Sequence, residues 1–446
     1  MSRRYRCGEH PSAGLGSVIV RNLRGLVADT RPLSNEHFRR LWLANIITVV
    51  GAQLTVVAVP AQIYSITGSS AYVGLTGVFG LVPLVVFGLW GGALADVIDR
   101  RTILQVTTIG LILTSAAFWL QAAVGADNVW LLLCLFAVQQ ALFAVNQPTR
   151  SAILPRLIPL DLLPAANALN TTVMQAGAIA GPLVGGALIP VLGFSALYFV
   201  DTCTLFATFW AVIGLPAMPI EGSDGAAPGL RAVLDGFSYL RGHPLLLMSF
   251  VVDLIAMIFG MPRALFPQVA HESFLGPPDG GLAFALLYAG IPAGAVLGGV
   301  FSGWLSRVRR QGLAVVSAIV VWGIAMMAFG GAVGLAPRAR TLMLWCAVLT
   351  LVVGGAADMA SSAFRNSMLM SAASDAVRGR LQGVFIVVVA GGPRIADVVH
   401  GASAAVIGTA LTAALGGLLV LVFLAIAVAL VPAFLQYRPQ QRTEPG

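Results

Sequence analysis

Seven ionisable residues lie inside stretches that are otherwise apolar: Asp201, Asp253, Arg263, Asp358, Arg394, Asp397 and His400. A charge in hydrocarbon costs about 2.5–3.5 kcal/mol on insertion scales, so such groups face a partner or a watery cavity. The chemistry open to them is proton uptake and release, pairing with one another, and contact with a polar ligand. Arg394 and Asp397 are three residues apart, one helical turn, and can pair with each other. Each acid could equally be half of a buried structural pair. His400 has no second ligand in view and reads as structural.

Groups like these need an apolar scaffold, and the chain supplies one. Of 446 residues 58% are hydrophobic and 10% charged, with a mean hydropathy of +0.89. A soluble domain carries roughly a quarter charged residues, so this chain has too little polar material to coat itself in water. Lipid as solvent resolves the shortage. Apolar runs fall at about 41–65, 72–95, 102–125, 129–149, 167–190 and 195–216. After a polar interlude they resume at about 245–269, 282–304, 311–334, 341–364, 381–404 and 408–432. Each matches the ~20 residues that a helix needs to cross a bilayer. The expected fold is therefore all-α and polytopic, with twelve transmembrane helices.

The net charge of +8 comes from arginine alone, since lysine is absent. With both termini in the cytoplasm, twenty-two arginines fall on the inner side, among them Arg100, Arg101, Arg150, Arg156, Arg365, Arg378 and Arg380. Only Arg338 and Arg340 fall outside, so the positive-inside rule sets the orientation. No aromatic-interleaved basic face exists, which argues against nucleic acid as a partner. Cys7, Cys134, Cys203 and Cys346 have neither disulfide nor zinc spacing. No phosphate loop, H-E-x-x-H site or G-x-S-x-G elbow is present, so enzymatic function is not expected and no cofactor or metal is implied. The start of the chain lacks the pattern of a signal peptide.

The two halves read as repeats. Gly88-x-x-x-Gly92 recurs 211 residues later as Gly299-x-x-x-Gly303, while Arg150 recurs as Arg365 and Asn167 as Gln382 at an offset of 215. The expected organisation is a tail at 1–40, a six-helix bundle at 41–216, a linker at 217–244, a second bundle at 245–433 and a tail at 434–446. In the linker, Leu230, Val233, Leu234, Phe237 and Leu240 have helical spacing and suggest an amphipathic helix on the cytoplasmic face.

Three stretches resemble the major facilitator superfamily. The first is Gly92-Ala-Leu-Ala-Asp96-Val-Ile-Asp99-Arg100-Arg101, which departs from the usual loop motif at Val97 and Asp99. The second, Gly177-Ala-Ile-Ala-Gly181-Pro182-Leu-Val-Gly185-Gly186, is similar to an element of proton-coupled exporters. The third runs from Gln147-Pro-Thr-Arg150 to Asn170. It resembles the enterobactin-exporter-like branch, as do His37-Phe-Arg-Arg-Leu-Trp42 and the Asp253…Gly260-Met-Pro-Arg263 region.

The resemblance implies two pseudo-symmetric bundles and a cavity lined by spans 1, 4, 7 and 10. Asp253 and Asp358 then become the leading carriers of a proton or contacts for a cationic substrate, with Arg394 and Asp397 as switch elements. Gln53, Gln139 and Gln140 would add neutral hydrogen bonds. It further implies a cytoplasmic latch between Asp96 and Arg380, with Gly92, Arg100 and Arg101 in the gating loop. Close helix packing at Gly177–Gly186 would seal the halves against leak, whereas the Gly290, Gly294, Gly298 run serves packing. The expected function is a proton-coupled exporter of a siderophore or drug-like molecule, monomeric and in the inner (plasma) membrane. A multidrug pump and a non-transporting sensor on the same scaffold are the alternatives.

Overall fold

The computed structural model describes residues 29–95, 98–216, 238–372 and 375–438. Helices account for most of this, and no strand occurs among the described residues. The first four are α1 (Glu36–Thr67), α2 (Ser70–Ala95), α3 (Arg100–Ala123) and α4 (Val129–Leu157). The run Leu163–Ile213 is two crossings, α5 (163–192) and α6 (194–213), divided at Gly193. The second half holds α7 (Pro244–Gly260), α8 (Leu282–Val300), α9 (Gln311–Leu335), α10 (Arg340–Ala372), α11 (Asp375–Ile407) and α12 (Thr409–Leu430).

Local sequence sets the boundaries. Asn35, Asp99 and Asn128 cap α1, α3 and α4 by accepting from backbone N–H groups of the first turn. Gly193 and Gly408 lie 215 residues apart and both adopt positive φ, at 74° and 79°, where a side chain would be strained. They make the tight joints between α5 and α6 and between α11 and α12. The repeat thus reaches the backbone conformation as well as the sequence.

α7 stops at Gly260 because Met261 is extended and Pro262 follows. The chain then recovers through short turns at Arg263–Leu265, Phe266–Gln268 and Val269–Ser273. The break sets Arg263 at the end of a helix, facing α11.

The helices α1–α6 pack as one bundle and α7–α12 as the other. They meet along two helix pairs, α2 with α11 and α5 with α8. In the first pair, a Cβ on Gly401 would sit 2.5 Å from the Ser70 carbonyl oxygen, and in the second, a Cβ on Gly186 would sit 2.9 Å from the Ala285 Cα. The offsets of 215 and 211 carry Gly186 onto Gly401 and Gly74 onto Ala285. The two contacts are therefore copies of one contact, as a duplicated six-helix unit requires. Both lie at the face that holds the joints Gly68, Gly193, Gly280 and Gly408 (the hairpin face), opposite the terminal face where the chain enters α1 and leaves α12.

Two helices run further than the apolar pattern suggested. α4 continues to Leu157 and α10 to Ala372, so Arg150 and Arg365 are helical and not loop residues. Neither Pro148 nor Pro155 ends α4. Of the expected linker helix, positions 217–237 lie outside the described residues. Leu240 is buried with Leu246, Phe250, Leu369 and Val388, inside the second bundle and not on a free surface.

Candidate functional site

A cavity of about 290 Å³ lies within the first bundle and reaches the second. α1 contributes Asn45, Thr48 and Gln53 to its wall, α4 contributes Gln139, Gln140, Phe143 and Arg150, and α6 contributes Asp201. Among the described residues one, Arg394, arrives from α11. A second cavity of about 250 Å³ shares Asn45, Gln147, Arg150 and Met174 with it and extends past Leu157 and Asn170 to the terminal face. The two cavities thus adjoin along these residues, and the second lies toward that face. At the hairpin face the Gly281 N–H donates to the Gly186 carbonyl at 2.8 Å, and the Tyr64 hydroxyl donates to Glu272 at 3.2 Å.

Arg394 crosses between the bundles. Its Nη2 donates to Gln140 Oε1 at 3.1 Å and its guanidinium lies 5.1 Å from the centre of the Phe136 ring. The expected pairing of Arg394 with Asp397 is not what forms. Asp397 instead takes Arg263 at 2.6 Å, because the broken end of α7 brings Arg263 alongside α11. Asp397 is buried and its Oδ1 has no hydrogen-bond partner among the described residues. His400 fits a structural role: its ring nitrogens face the carbonyls of Ala396 and Phe259, both at 3.0 Å.

Asp253 and Asp358 are not among the residues lining the cavity. They share Arg365. Asp253 is ion-paired with it in a fully buried contact, and Asp358 Oδ1 lies 4.0 Å from Arg365 Nη2 with its side chain 30% exposed. Sequence reasoning missed Arg365 by treating it as a loop cation. The signal that could have found it is its repeat relation to Arg150, also a helical arginine. Asp201 is the acid on the cavity wall. Thr55 and Ser115 donate to its Oδ2 at 2.7 and 3.0 Å, while Oδ1 lacks a partner. Asp201→Leu is expected to leave the Thr55 hydroxyl unpaired and to lower stability by about 1–3 kcal/mol. Asp201→Asn, which keeps an acceptor oxygen, is expected to melt near the parent. Thermal melts in detergent check both, and equal melting of the two variants would discard the assignment.

The exporter-like glycine element divides its work. Gly177, Gly181 and Gly185 pack on Val49, Gln53 and Leu54 of α1, inside one bundle, and of the glycines in this element only Gly186 meets the other bundle. The expected seal between halves therefore rests on Gly186, with Pro182 buried between. The Gly290, Gly294 and Gly298 ridge packs against Leu351, Val352 and Ala356 of α10, as packing residues do. Arg100 donates to the Ala152 carbonyl at 3.1 Å and Arg101 to the Ile213 carbonyl at 2.9 Å. Both arginines thus tie α3 to neighbours in its own bundle. Asp96 lies outside the described residues, as do the surroundings of Gly92 and the side chain of Arg380, and with them the expected latch.

A family model described as transmembrane secretion effector (MFS_3) matches residues 27–442. The chain belongs to this family. The chain is similar to the enterobactin exporter EntS of Shigella boydii serotype 18, with 27% identity over 350 residues, 78% of this chain and 80% of that protein. EntS of Escherichia coli O81 is 26% identical with the same coverage. Among solved structures, the nucleoside transporter NupG aligns at a TM-score of 0.65 and 14% identity, over 90% of this chain and 98% of that one. A bacterial homologue of the human lysosomal transporter Spinster, inward-facing and unoccupied, aligns at 0.66 and 16% identity, over 94% and 100%. The chain has the major facilitator fold, two pseudo-symmetric bundles of six helices, and is a membrane transporter of that type and not an enzyme.

Proposed function

We propose that this protein exports a small organic molecule from the cytoplasm by alternating access, driven by protons entering the cell. The observation that supports the reading is a pair of adjoining cavities on the side of the terminal face, with close helix packing at the hairpin face. The arginine distribution supports a cytoplasmic terminal face, with both termini there. An exporter in this state is open for loading. The relatives' names favour a siderophore of the enterobactin type, a catecholate. Phe143, Gln53, Gln139 and Gln140 on the wall suit an aromatic, hydroxylated ligand.

Proton coupling is assigned to the Asp253–Arg365–Asp358 cluster. One guanidinium neutralises one carboxylate, and Asp253 holds it more closely. Asp358, further away and partly exposed, is left to carry the proton. The pair Arg263–Asp397 is a fixed strut of the second bundle in this reading. A proton crossing the membrane potential supplies ~2.3 kcal/mol per 100 mV, enough for a useful gradient.

The test is uptake into energised inverted vesicles, with a catecholate siderophore and unrelated drugs in the panel. Siderophore uptake that collapses with a protonophore supports the reading, and uptake of drugs alone would make this a multidrug pump. No gradient-driven movement of any member would turn the assignment toward a sensor. Asp358→Asn is expected to lower driven uptake at least tenfold and to remove its protonophore sensitivity, while gradient-free counterflow persists. Undiminished driven uptake in this variant would clear Asp358.

A further inference from the structure

A cavity of about 1050 Å³ lies at the terminal end of the second bundle, apart from the two already described. Its wall comes from the turn Ser302–Arg307 and the residues after it, from α10 around Phe364 and Ser367, and from the chain beyond α12. Arg307, Arg309 and Arg438 stand on this wall, and among the described residues no carboxylate does. None of the three guanidiniums has an ion-pair partner among those residues. Packing fixes all three segments. Leu305 and Val308 pack on the core of the second bundle, while Arg307 and Arg309 are exposed. Trp304 meets Phe364 edge to face, with ring centres 6.0 Å apart. Beyond α12, Phe434 is fully buried, and its carbonyl lies so close to Gly312 that a Cβ there would have no room. Arg438 is therefore held beside the start of α9 and does not trail in solvent. Buried Gln311, also on the wall, donates from Nε2 to Ser367 Oγ at 3.2 Å, which leaves the serine hydroxyl proton available to a ligand.

The internal repeat separates this site from the ordinary placing of arginines on one side of a membrane. The offset of 211 that carries Gly92 onto Gly303 also carries Asp96 onto Arg307, Ile98 onto Arg309 and Asp99 onto Arg310. The stretch 92–101 holds two acids and two arginines, whereas its copy 303–312 holds three arginines and no acid. Orientation is read from arginines and lysines, and acids contribute little to it. Exchange of both acids for cations is therefore not required by topology. An anion site requires it, since a carboxylate beside the guanidiniums would neutralise them. The level in the membrane is set by the flanking helices. α9 and α12 are 25 and 22 residues long, close to the ~20 that cross the hydrocarbon. The residues just before α9 and those folded back onto it after α12 thus lie at the level of the lipid headgroups. Trp304, 52% exposed beside them, has the amphipathic ring that favours the same level.

We propose that this cavity binds the phosphate headgroup of an anionic phospholipid, held by Arg307, Arg309 and Arg438 with the Ser367 hydroxyl as a further donor. A guanidinium fork matches phosphate oxygens, and basic pockets at the cytoplasmic ends of membrane helices suit such headgroups. The phosphate could in principle come from lipid or from solution. The headgroup level of the site and the exposed indole at its edge favour the lipid. A lipid bound here ties together the turn before α9, the end of α10 and the chain beyond α12. The site is separate from the transport cavity and independent of which molecule is carried.

The experiment is native mass spectrometry of the purified full-length protein in a neutral detergent, titrated with lipid to obtain the affinity for the first molecule bound. The probes are dioleoyl phosphatidylglycerol, which is anionic, and dioleoyl phosphatidylcholine, which has the same chains and phosphate but no net charge. Glycerol 3-phosphate and inorganic phosphate serve as soluble competitors. Phosphatidylglycerol is expected to bind about tenfold more tightly or better, and neither competitor to displace it at equal concentration. Arg307→Gln, Arg309→Gln and Arg438→Gln combined are expected to remove the preference. The control combines Arg39→Gln, Arg241→Gln and Arg310→Gln, three exposed arginines of the same face that do not line the cavity, and is expected to keep it. Equal affinity for the two lipids in the parent would overturn the proposal without any variant having to fold. Equal loss in the control would reduce the effect to general surface charge and overturn the site. Displacement by either soluble phosphate at equal concentration would assign the cavity to a dissolved ligand and overturn the lipid. A failure of driven transport would count against the exporter reading alone, since lipid binding is read without transport.

Discussion

Replacing Arg365 with leucine is expected to destabilise the protein by ~3–5 kcal/mol, the cost of leaving a buried charge without its partner. Arg365 and Asp253 are 6% and 3% exposed, and the contact joins α10 to α7 across the core of the second bundle. Removing the cation strands Asp253 and deprives Asp358 of its only ion-pair partner among the described residues. The measurement is thermal melting in detergent, read with the yield of membrane-inserted protein. Arg365→Leu combined with Asp253→Leu is expected to recover most of the loss, because an apolar pair replaces an ionic one at little net cost. Arg365→Lys is expected to fall between, since an ammonium lacks the fork that reaches both acids. A single leucine variant melting within a degree of the parent would show that the pair contributes little, and would remove the reason to treat the cluster as a unit.

Gly77→Val is expected to abolish most export by preventing closure of the hairpin face. A Cβ at Gly77 would lie 2.1 Å from the Arg394 carbonyl oxygen and 2.8 Å from Val398 Cγ2, and the carbonyl belongs to a helix backbone that cannot turn aside. α2 and α11 would have to separate. Overpacking of this kind costs about 1–3 kcal/mol, which shifts a two-state balance by roughly five- to 150-fold away from the state described. Gly186→Val, which meets the Ala285 backbone in the copied contact, is expected to do the same. The readout is thiol labelling of Thr171→Cys, an exposed residue in the cavity mouth, in a chain without its native cysteines. Labelling from the terminal face should fall in both glycine variants along with export. Gly331→Val is the control, because nothing lies within 4 Å of a Cβ there. Unchanged labelling and export in Gly77→Val would mean that the closed face is not a working state of the cycle.

Several features of this protein were settled by the sequence by itself. Runs of about twenty apolar residues can be satisfied only by helices that cross lipid, because an unpaired backbone amide is too costly there. The number of helices, their antiparallel order and the duplicated unit all follow from such runs and from repeats at 211 and 215. Gly186 was also visible as a place where helices approach, since small residues are what close packing in a membrane requires, whereas its copy Gly401 emerged only from the structure.

Tertiary structure decided which charges belong together. The spacing of Arg394 and Asp397 allows a pair, yet the extended Met261 and Pro262 carry Arg263 to Asp397 from 134 residues away. Arg365 looked like a loop cation because hydropathy ends a span where polarity begins, whereas a helix ends only where its backbone is capped or broken. A buried ion pair between α7 and α10 has no local signature, since its partners are 112 positions apart. The same reason hid the cavity's character. Arg150 lies in one bundle and Arg394 in the other, and only the packing of α11 against the first bundle puts Arg394 on the wall of a cavity that Arg150 also lines. Local sequence sets where a chain becomes helical and how it meets lipid, whereas contacts between distant helices set which of its charges are neutralised and which remain available to a ligand.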